Sequence, residues 1–365
     1  MDHIQFQQKL VTVAFRRLLT CRADQLVPFT WRKSGGAVTA EGSSIRYSAI
    51  VLIGLQSAIS SGLLESDKGE TRRRLETLKG FLNQVDNFGD MGLVLFAAAV
   101  LGDQGTDDLV EMSWRQVQKD SVKQDNFNET MWLAWLLDGF CVSAKLMPSN
   151  VGLLKRTREI GNRLLSNQDP DSGLFYRTRN YSSVITRLRG QISFFSDQTY
   201  TIHALSNAYM ILGEKSYING ANQCAQQLTQ MQGPSGEWWW IYNVPKGRVT
   251  EPFPIYSVHQ YGMAPMALRR LKQAGGLDFE AACRKGISWL VQNQLQRDMV
   301  DEDATLIWRS IRRAYLGRFI TTYNQIAGMF GIFPECLSKR SLEIDWECRP
   351  YELGWLLYAQ SLTDE

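Results

Sequence analysis

The sequence predicts an all-α fold, a ring of six helical hairpins. Three observations carry this reading. Apolar residues recur at helical spacing in twelve stretches of the 365-residue chain. The stretches alternate between two kinds, one charged along one side and one apolar or small on most sides. A Gln-x3-Gly-x-aromatic turn at 232–238 closes an amphipathic run, a copy one residue longer spans 168–175, and a degenerate third, without the glycine, ends at Gln294. Gln168, Gln232 and Gln294 are 64 and 62 residues apart, a period that fits a helical hairpin with one long loop.

In chain order, the charged helices are expected over about 2–20, 68–86, 106–118, 150–167, 216–232 and 278–295. The apolar helices are expected over about 43–61, 90–102, 127–146, 193–213, 256–275 and 349–362. A helix apolar on most sides must be buried on most sides, so the second set forms an inner ring and the first an outer one. The helices are paired outer first. Ser43 and Ser44 precede Ile45, Asn128 precedes the run from Glu129, and Ser196 with Asp197 can cap the run from Gln198. Gly62, Gly102, Gly213 and Gly275 follow inner helices, as expected of left-handed caps.

Connections from inner to outer helices are short. Those from outer to inner are short in the second and third pairs and long elsewhere, at 21–42, 168–192, 233–255 and 296–348. The last has about fifty residues and is expected to carry structure of its own. Loops this long in a compact domain are usually functional. One face of the ring is therefore decorated and the other plain. The decorated face holds the N-termini of the inner helices, and a pocket is expected to open there. The pattern runs through residues 1–365, read as one domain.

Composition narrows the function. A net charge of +3 with dispersed basic residues gives no basis for a nucleic-acid partner. The sequence has no apolar run long enough for a membrane span, and its first twenty residues lack a signal-peptide apolar block. Six cysteines are scattered without a CxxC pair or a His/Cys cluster, which reads as reduced core thiols in a cytoplasmic protein without structural zinc. No phosphate-cradling loop or dinucleotide fingerprint occurs, so no cofactor and no metal is expected.

Six hairpins with inner and outer helices resemble the (α/α)6 toroid superfamily. One branch holds the six-hairpin carbohydrate enzymes: glycoside hydrolases, polysaccharide lyases and sugar epimerases. The other holds the terpenoid cyclases and protein prenyltransferases, whose Gln-Trp repeats look like the turn at Gln232, Gly236 and Trp238. The resemblance implies a central pocket and either a glycan or a prenyl substrate. Asp301-Glu302-Asp303 is not the DxDD signature of the cyclases, and no DDxxD stands on an inner helix. The carbohydrate branch is therefore favoured. A terpenoid cyclase-like enzyme and a non-catalytic binding toroid remain the alternatives.

Candidate site residues follow from the inner-helix starts. Asp90, Glu129, Asp197 and Glu352 each begin an otherwise apolar helix, and carboxylates facing one cavity raise one another's pKa, which suits general acid/base work. Acidic residues in a first turn are also favoured by the helix dipole alone. His259 begins the fifth inner helix and can exchange protons near neutral pH, whereas His203, six residues into its helix, reads as a hydrogen-bonded core group. Asp197, His259 and Glu352 are the first choices as catalytic groups, then Asp90 and Glu129. Trp238, Trp239, Trp240 and Tyr242 lie in a long loop. Flat aromatic faces stack on sugar rings, and in an extended segment alternate side chains face opposite ways, so at least one is expected at the pocket. Tyr47, Gln198 and Tyr261 join them at helix starts. Arginines crowd the loops at Arg177, Arg179, Arg187 and Arg189 and again at Arg309, Arg312, Arg313 and Arg318, with Arg46 and Arg349 at helix starts. Guanidinium forks bind carboxylates at two points. Arg46, Arg309 and Arg349 are read as binders of an acidic glycan.

Overall fold

The computed structural model describes residues 2–65, 68–120, 129–179, 181, 183–314, 323, 326–327 and 342–363. Asn128 and Arg318 lie outside these. Helices form at all twelve expected places. The outer set is α1 (His3–Leu19), α3 (Lys68–Lys79), α5 (Thr106–Asp120), α7 (Val151–Leu165), α10 (Lys215–Gln230) and α12 (Glu280–Ser288). The inner set is α2 (Ile45–Ser60), α4 (Phe88–Val100), α6 (Glu129–Leu146), α9 (Phe195–Leu212), α11 (Ala264–Gln273) and α13 (Pro350–Gln360). A π-turn, His259–Met263, leads into α11, and a short helix α8 (Val184–Gly190) was not expected.

The inner helices close on themselves. In sequence, α2 packs on α4, α4 on α6, α6 on α9, α9 on α11, α11 on α13, and α13 back on α2. This is an α/α toroid. The closing contact is tight because two glycines meet there. A Cβ on Gly54 of α2 would run into the carbonyl of Gly354 on α13. The outer helices pair in the opposite sense from that expected. α3 packs on α2, α5 on α4, α7 on α6 and α10 on α9, while α1 packs on α13. A short connection makes antiparallel neighbours, and the short connections run from inner to outer helix. The first outer helix, with no inner helix before it, closes the ring with the last.

Local signals set the boundaries. The Ser44 hydroxyl accepts from the Tyr47 N–H at 3.2 Å and caps α2, and Asn87 caps α4 in the same way. Gly213 takes φ +70° and ends α9, a conformation that a side chain would strain. Phe96, Phe140, Phe195, Trp289 and Trp355 are among the large side chains buried in the core. Each contributes roughly 1.5–3 kcal/mol on burial. Within the ring, His203 Nδ1 lies 2.8 Å from Asp138 and Nε2 lies 3.0 Å from the Tyr358 hydroxyl. Asn207 donates to the other Asp138 oxygen at 2.8 Å. His203 is the hydrogen-bonded core group the sequence suggested.

The repeated turns are staples. Gln168 Nε2 donates to the carbonyls of Gly173 and Gly220, and Gln232 Nε2 donates to those of Gly236 and Ala282. Each glutamine ties its own turn to the next outer helix or the approach to it. A second glutamine on an inner helix then grips the aromatic residue. Gln198 accepts from the Phe175 N–H and donates to its carbonyl, both at 2.8 Å. Gln260 does the same for Trp238 at 2.9 and 3.2 Å.

The four long loops are stitched together by short antiparallel strands. The first carries β1 (Thr30–Ser34) and β2 (Ala37–Glu41), and the fourth helical pair's loop carries β3 (Ile192–Phe194). The tryptophan loop carries β4 (Ile241–Asn243), β5 (Arg248–Glu251) and β6 (Ile255–Tyr256). The last loop carries β7 (Val300–Asp301), β8 (Leu306–Ile307), β9 (Ser310–Arg313), β10 (Leu342–Asp345) and β11 (Glu347–Cys348). β3 pairs with β4, β6 with β9, and β11 with β1. Neighbouring loops thus form a collar over part of the ring. Among the described residues no helix is long and apolar enough to cross a membrane.

Candidate active site

The first turns of the inner helices converge. Arg46 and Tyr47 of α2, Met131 and Trp135 of α6, Ser196 and Tyr200 of α9, His259 and Met263 of the π-turn, and Tyr351 of α13 line one cavity of about 350 Å³. The collar adds Trp240, Tyr256, Arg309 and Arg349. Five of the six inner helices therefore run parallel and point their N-termini at the cavity. The sixth, α4, reaches it through an ion pair: Arg46 makes a two-point contact to Asp90 at 2.6 and 3.1 Å.

The three arginines are fixed from two sides. Arg46 lies over the Trp135 ring at 5.1 Å, Arg309 over Tyr256 at 5.3 Å and Arg349 over Phe29 at 4.6 Å. Glu347 of β11 then joins two of them, accepting from Arg309 at 2.8 Å and from Arg349 at 2.5 Å. Burial alone would raise the Glu347 carboxyl, but the Arg349 bond and the charges of Arg309, Arg349 and Arg32 outweigh it and hold it below the ordinary range. Arg349 also donates to the Tyr47 hydroxyl at 3.0 Å.

Glu352 lies behind this layer. It is fully buried, and Arg309 Nε stands 3.8 Å from its Oε1. Its other oxygen takes a long 3.4 Å bond from its own helix start at Arg349 N–H. Burial pushes the carboxyl up to about 7, against the pull of Arg309 and Arg349. His259 is likewise buried, its ring 4.5 Å from Phe195 and 5.2 Å from Tyr256. Burial pushes it down to about 3, only partly offset by the Trp238 carbonyl, so it is neutral at physiological pH.

The remaining candidates divide. Trp240 lines the cavity between Phe194, stacked at 5.1 Å, and Tyr256, edge-on at 5.3 Å. Its neighbours do not line it. Trp238 and Tyr242 are core side chains around Phe195, and the Trp239 indole donates to the Met231 carbonyl at 2.7 Å. Gln198 is occupied in its staple, and Tyr261 is wholly buried. Glu129 is held by Arg163 of outer helix α7 and by the Thr178 hydroxyl, an ion-pair brace between the two rings. Asp197 accepts from the Phe194 N–H at 2.9 Å and the Ser193 hydroxyl at 3.0 Å, the work of a helix cap, with Arg177 at 3.8 Å. Burial raises its carboxyl, and Arg177 draws it back. Trp135, Tyr200 and Tyr256 line the cavity without having been singled out, and Glu347 couples two of its arginines. Among the described residues no group of three His, Cys, Asp or Glu is placed to hold a metal ion.

No protein-family model and no curated protein matches this sequence. Solved structures do. A sugar epimerase from a ruminal bacterium superposes with a TM-score of 0.63 at 12% identity, covering 99% of this chain and 98% of the other. An unsaturated glucuronyl hydrolase specific for heparin gives 0.60 at 14% identity, covering 98% and 96%. A cellobiose 2-epimerase from Bacillus thermoamylovorans gives 0.62 at 10% identity, covering 98% of each chain. The shared feature is the fold, the six-hairpin α/α toroid, over nearly the whole length of both chains.

Proposed function

We propose that this protein is a carbohydrate-active enzyme that binds an acidic glycan in the collar-side cavity and acts on it by general acid/base chemistry. One observation carries the reading. Three guanidiniums, from Arg46, Arg309 and Arg349, face or flank the cavity, against two carboxylate partners, Asp90 and Glu347. With Glu352 protonated, one positive charge remains for a substrate carboxylate. That same protonated Glu352, titrating about 7, is the general acid of the scheme. Neutral His259 is the candidate acceptor, and Trp240 with Tyr256 supplies the ring faces on which a sugar stacks. Asp197 is the reserve carboxyl, though its cap bonds tie it to α9.

The similarity to hydrolases, a lyase and epimerases of sugars supports the substrate class and leaves the reaction open. The prenyl alternative asks for a dry aromatic cavity around a carbocation. The aromatic lining fits it, but three fixed guanidiniums oppose a developing cation. The test is a panel of uronate-containing and neutral oligosaccharides incubated with the protein and read by mass spectrometry. Turnover confined to the acidic members supports the proposal. Binding of a prenyl diphosphate with no glycan turned over or bound overturns it.

A further inference from the structure

A second cavity, of about 440 Å³, lies where α1, α11, α12 and α13 meet. It sits at the C-terminal ends of α11 and α13, and therefore on the plain face, away from the collar. Three residues that line it, His3, Gln7 and Gln360, each carry a buried side-chain Nε2 with no hydrogen-bond partner among the described residues. Gln360 is only 5% exposed. Buried polar nitrogens are ordinarily paired, so three without a protein partner around one cavity mark it as polar and able to donate to an occupant. A glutamine amide turns easily about its terminal bond, so each can present an N–H to the cavity.

The surrounding charges are uneven. Arg269 is engaged with Glu280 through two 3.0 Å bonds and with the Ala359 carbonyl at 3.0 Å. Lys272 stands 3.0 Å from Asp278. The Arg284 guanidinium, also at this cavity, makes no hydrogen bond or ion pair among the described residues. One positive charge is left over beside three unused donors, and Val11, Leu63 and Leu362 provide apolar walls. We propose that this cavity is a second ligand site, for a small organic oxyanion (a carboxylate or a phosphate ester). Its oxygens accept from Gln7, Gln360 and the Nε2-protonated tautomer of His3, and its charge pairs with Arg284. Such a ligand bridges α1 and α13, the helices that close the ring, and stabilises the toroid without touching the collar.

The experiment uses the full chain, with thermal unfolding and calorimetric titration by inorganic phosphate, glucose 6-phosphate and gluconate, and with glucose as the neutral control. Saturable binding and a raised Tm are expected with at least one anion and not with glucose. Kd should weaken at least tenfold in Arg284→Ala and in Gln360→Leu and stay unchanged in Arg349→Lys, which alters only the collar-side cavity. If Gln360→Leu does not fold, Gln7→Leu gives the same reading. Absence of binding by all three anions, equal binding by the plain-face variants, or loss of binding in Arg349→Lys overturns the proposal.

Discussion

Arg309 Nε and Glu352 Oε1 stand 3.8 Å apart, both buried, and neither atom has a hydrogen-bond partner among the described residues. The separation is too long for a hydrogen bond and short enough for strong attraction. A carboxylate fully engaged by an arginine stays ionised, as Glu347 does. Glu352 is instead held up to about 7, because burial outweighs an arginine that does not quite reach it. A substrate anion that draws Arg309 away would raise it further and keep its proton available.

The first prediction follows from that proton. If Glu352 is the general acid, activity on a confirmed substrate falls as pH rises through about 7. Glu352→Gln should lower kcat by on the order of 10²- to 10⁴-fold and remove that alkaline limb. A pH–rate profile of parent and variant checks both. An alkaline limb that survives in Glu352→Gln assigns the acid to another group, with Asp197 next in line.

The same burial sets a pH dependence of stability. Glu352 titrates at about 7 when folded and near 4.5 when unfolded. The folded chain binds the extra proton between those values, so this contribution is fully present below about 4.5 and is lost as pH rises to about 7. His259 has the opposite sign. With a folded value of about 3 against 6.5, its contribution is present above 6.5 and is lost as pH falls towards 3. Denaturant unfolding across pH 3–8 should therefore show Glu352→Gln flattening the decline between 4.5 and 7, and His259→Gln flattening the rise between 3 and 6.5. A Glu352→Gln stability difference that is identical at pH 5 and pH 8 would contradict the buried acid.

Much of this was legible in the chain, for physical reasons. Helical periodicity is a local signal, and it found the inner and outer helices. Loop length is also local, and it found the face with the cavity. Arg46, Tyr47, His259 and Arg349 were legible because a residue that starts an inner helix must lie near the mouth of the ring. Trp135 and Tyr200 stand one turn deeper, and sequence does not show how far a cavity reaches down its helices. Glu347 was missed because β11 and β1 are remote in sequence and their pairing leaves no local trace. The bracing of Glu129 was not legible for a related reason. Its partners Arg163 and Thr178 come from another helix and another loop, and only tertiary packing reveals them.

The staples give a prediction about folding. Gln260 satisfies both the N–H and the carbonyl of Trp238 in a buried setting. Gln260→Leu leaves the Trp238 N–H without its partner and takes one of two from the carbonyl, which also faces His259, and should destabilise by roughly 1–3 kcal/mol. Gln232→Leu removes the bonds to the Gly236 and Ala282 carbonyls and should cost less, because Gln232 is partly exposed. Thermal unfolding of the two variants should rank them in that order, and the reverse ranking would mean that the turn, not the aromatic grip, secures the hairpin.

The tryptophan triplet separates core from site within three residues. Trp238 packs on Phe195 beneath the collar, whereas Trp240 faces the cavity between Phe194 and Tyr256. Trp238→Ala leaves a void among well-packed side chains and should destabilise the fold by about 3–5 kcal/mol. Trp240→Ala removes a partly exposed stacking face. It should cost little stability but weaken glycan binding by roughly 1–3 kcal/mol, by analogy with stacking on other flat rings. Arg349→Lys, which keeps the charge and loses the fork held by Glu347 and Tyr47, should weaken an acidic glycan more than a neutral one of the same length. Calorimetric titration of these variants with a matched acidic and neutral pair separates the two effects. Trp240→Ala should weaken both ligands alike, and Arg349→Lys should weaken the acidic one selectively. Equal loss of both ligands in Arg349→Lys would mean that this arginine only braces the start of α13, and the charge preference would then rest on Arg46 and Arg309.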